Sequence, residues 1–98
     1  MSEFKELINK DQPILVDFFF FFFGPCKMQA PILEDLKKRV KDQATIIKID
    51  VDKNPAVAAQ FGIRSVPTLM IFKNGTVKWK RSGVFSANEL EHLIRQNL

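Results

Sequence analysis

The sequence predicts an α/β fold, with one central mixed β-sheet flanked by helices on both faces. Three observations predict it. Apolar runs of strand character alternate with stretches of helical periodicity, in the order α, β, α, β, α, β, β, α. Strands connected through helices call for parallel neighbours, whereas Asn74-Gly75 between two strand-like runs calls for an antiparallel hairpin. No linker, repeat or polar low-complexity tract divides the 98 residues, so residues 1–98 read as a single domain.

Each element has a local reason. Phe4, Leu7 and Ile8 form a short helical stripe, closed by the loop Asn9–Pro13. Ile14-Leu15-Val16 is apolar at successive positions, as in a strand covered on both faces. Phe18 and Phe19 suit its continuation. Pro25 stands where a helix can begin, and Met28, Ile32, Leu33, Leu36 and Val40 follow at helical spacing. Pro31 interrupts that helix and predicts a kink. Thr45–Val51 is the next strand. Asn54 is placed to cap a short helix with Pro55 in its first turn and Gly62 beyond its end. Thr68–Phe72 and Thr76–Arg81 flank the hairpin turn, and Ser86 with Glu89 predicts a capping box before Leu90, Leu93 and Ile94.

Composition removes several classes of function. The chain is 46% hydrophobic and 27% charged, which excludes disorder, and one cysteine excludes a disulfide scaffold. Fifteen basic and 11 acidic residues give +4, but the bases are scattered among acids, so no nucleic-acid footprint is predicted. The longest apolar stretch, Ile14–Phe23, is ten residues and contains Asp17. A membrane helix takes roughly 20 apolar residues, so no membrane partner is predicted. Met1-Ser2-Glu3 opens without an apolar leader, which predicts a cytoplasmic protein.

Several residues invite functional readings that local physics does not support. His92 has no cysteine or carboxylate cluster at ligand spacing, so no metal site is predicted. Gly24-Pro25 lacks the pattern of a phosphate-binding loop, and no cofactor is predicted. Met28 and Met70 fall on core periodicity, and Trp79 reads as packing on a sheet face. Taken alone, Cys26 is a half-buried inert thiol. Asp17 alone is a strand-end residue bonded to a helix, Lys48 a solvated edge lysine, and Pro67 a trans proline at a strand start.

One feature is abnormal. Phe18–Phe23 are six consecutive phenylalanines, whereas the rest of the chain holds only Phe4, Phe61, Phe72 and Phe85.

The motifs on either side of that run occur in a known order. Val16-Asp17-Phe18, Gly24-Pro25-Cys26-Lys27-Met28, Lys48-Ile49-Asp50-Val51-Asp52, Phe61-Gly62-Ile63-Arg64-Ser65-Val66-Pro67-Thr68 and Phe72-Lys73-Asn74-Gly75 together resemble the thioredoxin family. The resemblance runs from about residue 3 to residue 97 and implies the thioredoxin fold, with a minimal first strand because the N-terminus is short. It implies dithiol–disulfide exchange on disulfide-containing proteins, with recharging by a thioredoxin reductase.

The resemblance also assigns positions. The family's Cys-Gly-Pro-Cys tetrad falls on Phe23-Gly24-Pro25-Cys26, and its tryptophan falls on Phe22. Spacing is intact, so the run reads as a residue-for-residue replacement. It is either engineered or a misread stretch, which an intact mass distinguishes. Exchange begins with a thiolate at an exposed helix N-terminus and is completed by a second thiol. A phenyl ring at position 23 can do neither, and Cys26 matches the resolving position, so the resemblance implies a redox-inactive variant. Asp17 matches the family's buried proton-shuttling acid, and Lys48 the lysine near it. Val66-Pro67 matches the cis-proline loop, where backbone pairs with an extended substrate, and Gly83-Val84 the apolar docking rim. Phe20 occupies a slot the family gives to a small residue, which predicts overpacking that costs ~1–3 kcal/mol. Phe21, Phe22 and Phe23 fall where the family exposes its site, which predicts self-association.

Overall fold

The computed structural model describes residues 2–98. The leaderless opening read at Met1 lies outside them. Four helices and four strands follow in the predicted order: α1 (Ser2–Ile8), β1 (Ile14–Phe19), α2 (Gly24–Val40), β2 (Thr45–Asp50), α3 (Pro55–Gln60), β3 (Thr68–Lys73), β4 (Thr76–Ser82) and α4 (Ala87–Arg95). A single 3-10 turn, Lys41–Gln43, follows α2.

The sheet order is β2-β1-β3-β4. β1 pairs with β2 in parallel, placing Asp17 opposite Lys48, and with β3 antiparallel. β3 and β4 form the predicted hairpin, with Asn74 and Gly75 both at positive φ. No strand precedes β1 among the described residues, so the minimal first strand expected from the resemblance is absent.

β1 explains the rest of the core. Strand side chains alternate between faces, and both faces here are covered. Leu15 packs with Leu33, Leu36, Leu90 and Ile94 of α2 and α4. Ile14, Val16 and Phe18 pack on the other face with Phe4 and Ile8 of α1 and Val57 of α3. Phe18 is fully buried and within ring-contact range of Phe4 and Phe61, so the first ring of the run serves the core.

Several local expectations are corrected. The buried stripe of α2 is Cys26, Gln29, Leu33, Leu36 and Val40; Met28 lies one position off it and is 62% exposed. Leu7 is exposed for the same reason, while Phe4 and Ile8 are buried. α2 runs through Pro31 without interruption. Asn54 occupies the N-cap of α3, but its side chain does not cap it. Instead its amide donates to the Asp50 carbonyl (3.0 Å), as part of the turn after β2. Ser86 and Glu89 do form the capping box of α4.

Candidate functional site

The site lies where β1 ends and α2 begins. Beyond Phe19 the chain leaves the sheet through a turn in which the Phe23 N–H donates to the Phe20 carbonyl (3.1 Å). Phe23 is the N-cap of α2, with extended backbone and no side-chain cap, and Pro25 lies in the first turn. The N–H groups of Cys26 and Lys27 both donate to the Phe23 carbonyl, at 3.1 and 3.2 Å. This is the electropositive end of a 17-residue helix, where a thiol would be driven toward thiolate. A phenyl ring stands there instead.

Phe20 shows why overpacking does not occur. It lies outside β1 and is 37% exposed, so its ring never enters the core. Phe21, Phe22 and Phe23 are 62%, 73% and 44% exposed. Phe22 meets Phe21 edge-on at 4.8 Å and Phe20 at 6.0 Å between ring centroids. The result is a contiguous aromatic face.

Cys26 sits one turn further in and is buried. Its Sγ accepts the Phe20 N–H at 3.4 Å. Burial pushes the thiol pKa up and the nearby Asp17 adds to this, against the opposing pull of the Phe20 N–H and Lys48. Asp17 is fully buried, and neither carboxylate oxygen has a hydrogen-bond partner among the described residues. Desolvation raises its pKa to about 6, with Lys48 pulling the other way. Lys48 does not bond to it: the ammonium lies 4.7 Å from the centroid of the Phe19 ring, a cation–π contact.

Two recesses flank the helix start. One, of about 200 Å³, is bordered by Cys26 and Lys48, with Phe19, Phe21, Lys27 and Ala30 around them. The other, of about 420 Å³, lies between Phe20 and Phe23 on one side and Val51 and residues 63–66 on the other. The Val66-Pro67 peptide bond is cis. The Pro67 carbonyl accepts the Gly83 N–H (2.9 Å), and Gly83 has φ 116°, a conformation that excludes most side chains. Val84 follows, 37% exposed.

The structure therefore brings Phe23 and Val66 to one recess, Cys26 and Lys48 to another, and Gly83 against Pro67. Gly24 is open to solvent: a Cβ there would meet nothing within 4 Å. Phe22 lines neither of these recesses; with Phe19, Phe20 and Phe21 it walls a third, of about 350 Å³, that Asp50, Asp52 and Lys53 complete. Asp17 lies beneath the surface, opposite Lys48.

Sequence reasoning missed Gln29. It is fully buried, donates to the Phe85 carbonyl (3.0 Å) and accepts the Phe85 N–H (2.9 Å), fastening α2 to the segment after β4. A polar residue on a buried stripe must find partners, and that was the available signal.

The sequence model of the thioredoxin family matches residues 1–96. Thioredoxin of Rickettsia felis is 39% identical over 94 residues, which cover 96% of this chain and 90% of the relative. Thioredoxin of Haemophilus influenzae is 42% identical over 92 residues, covering 94% and 86%. A mutant thioredoxin from Halobacterium salinarum superposes with a TM-score of 0.87 at 34% identity, covering 99% of this chain and 84% of that one. The fold is the thioredoxin fold. The chain belongs to the thioredoxin family, a family of disulfide oxidoreductases acting on disulfide-bonded proteins. Its one cysteine is Cys26. Among the described residues no helix is long and apolar enough to cross a membrane, and no group of three metal-ligating side chains occurs.

Proposed function

We propose that this chain is a thioredoxin-fold docking protein in which disulfide turnover is silenced at position 23, its active-site stretch being an engineered residue-for-residue replacement. The observation that carries the reading is the phenyl ring at the N-cap of α2, with the sole thiol buried behind it. A dithiol reductase attacks with one thiolate, forms a mixed disulfide, and releases it with a second thiol while two electrons pass to the substrate. Cys26 alone can form one mixed disulfide and then has no partner to resolve it. Its raised pKa and burial oppose even that first step.

The remaining roles follow the family positions. Asp17 is the proton shuttle beneath Cys26, and Lys48 tunes it. Gly24, Pro25, Phe22, Val66, Pro67, Gly83 and Val84 form the docking rim for extended segments of disulfide-containing proteins and for a reductase. The chain resides in the cytoplasm, whose reducing poise keeps Cys26 a thiol. Dithiothreitol-driven insulin reduction is the test. Turnover at the background rate is expected, and turnover well above background overturns the reading.

The exposure of the rings favours a second role for the same face. Copies of the chain associate through Phe21, Phe22 and Phe23, which gives concentration-dependent elution in size-exclusion chromatography. A monomer at every concentration contradicts this.

A further inference from the structure

We propose that the aromatic face is self-complementary and closes two copies of this chain into a two-fold dimer, with each Phe22 seated in the recess of the other copy. The proposal rests on the reading of this face as one through which copies associate, and it specifies how they do so.

Shape is the first argument. Phe22 is the most exposed ring of the run, 73%, and its ring meets Phe20, which walls the 420 Å³ recess with Phe23 and Val66. Its edge-on contacts with Phe20 and Phe21 brace it as a knob. A two-fold interface requires that a residue meeting its target be met in return. A knob and a recess side by side on one face satisfy that condition.

Charge is the second argument, and it is independent of shape. Phe20 borders two recesses, one carrying Arg64 and the other carrying Asp50, Asp52 and Lys53. One flank of the face is therefore basic, and the other holds two carboxylates beside one ammonium. A two-fold axis passing near Phe20 exchanges the flanks, so each Arg64 meets the carboxylate-bearing flank of the other copy. Within the chain, the Asp50 carboxylate already accepts the N–H groups of Asp52 and Lys53, at 2.9 and 3.2 Å. Asp52 and Arg64 are both exposed, and neither forms an ion pair among the described residues. Asp52 is thus the acceptor available to Arg64 of the other copy. Such rim charges fix the register of an interface whose aromatic centre supplies the affinity.

Area is the third argument. At the exposures given above, Phe20–Phe23 present about 400 Å² of aromatic surface per copy, taking 150–250 Å² for a whole ring. A standard interface takes about 800 Å² from each partner. The rings supply about half, which leaves the other half to the recess walls and charged flanks. The face is consumed in the dimer, so growth stops at two copies.

Sedimentation velocity from about 5 to 500 µM, a range that brackets a micromolar Kd, tests the proposal. The chain as it stands is expected to pass from monomer to dimer and no further, and Phe22→Ala to remain monomeric. Arg64→Asp and Asp52→Arg should each raise the dissociation constant at least ~10-fold, and the double variant should recover most of that loss. Circular dichroism confirms that these surface variants are folded. A parent chain that stays monomeric, one that grows beyond a dimer, or a double variant no better than the singles overturns the proposal. Insulin turnover is read separately: a dimer that turns over insulin contradicts the redox-silent reading and leaves the dimer standing.

Discussion

Asp17 lies within β1 with both carboxylate oxygens unpartnered, and the consequence is a pH-dependent stability. Folding moves its pKa from an ordinary 3.8 to about 6, so the folded chain binds this proton more tightly than the unfolded one. The penalty for the ionised form is absent below the unfolded value and fully present above the folded one. A displacement of that size is worth about 3 kcal/mol. Stability should therefore fall as pH rises from about 4 toward 7, because the folded state binds the proton that the unfolded state has already lost. Asp17→Asn should gain about 1–3 kcal/mol at pH 8 and flatten that slope, as read by urea unfolding at both ends. An unchanged slope contradicts the assignment. The chemistry of the residue was legible, because a carboxylate inside an apolar strand is costly. Its lack of partners was not, since that depends on Lys48 turning its ammonium to the Phe19 ring.

Among the elements, β1 and α2 carry the account. Phe18 and Phe22 belong to one run of identical residues, yet one is fully buried and the other 73% exposed. Phe18→Ala should cost about 3–5 kcal/mol, whereas Phe22→Ala should change stability by less than about 0.5 kcal/mol. Denaturant midpoints measure both, and equal losses would place Phe22 in the core. Gln29→Leu should cost about 1–3 kcal/mol by stranding the N–H and carbonyl of Phe85. A loss below 0.5 kcal/mol, about the scatter of surface substitutions, would show the pair re-satisfied by water. Strand character, the hairpin turn and the capping box were readable because each is a local signal. The phase of α2 was not: Met28 and Cys26 both fit a helical stripe, and only packing against Leu15 and α4 selects the one through Cys26 and Gln29. Asn54 sat at the right position, but its amide was diverted to the Asp50 carbonyl of the turn before it.

At the scale of the whole molecule, the order of elements and the family motifs around the run were enough to specify the mixed sheet and to single out the start of α2 as the candidate site. The absence of a strand before β1 among the described residues and the outward path of Phe20 became visible only in three dimensions. The fold sets a helix N-terminus and a buried acid about one thiol, brings the cis-proline loop to the recess of position 23, and places a phenyl ring there. The central claim is that this one position breaks an otherwise intact electron relay. Insulin reduction by the Phe23→Cys variant, assayed beside the parent chain, tests it most directly. The parent should remain at background while the variant turns over, rising at least ~100-fold as a nucleophile is restored. Turnover by the parent, or a variant that forms its disulfide and still fails to act, would contradict the account.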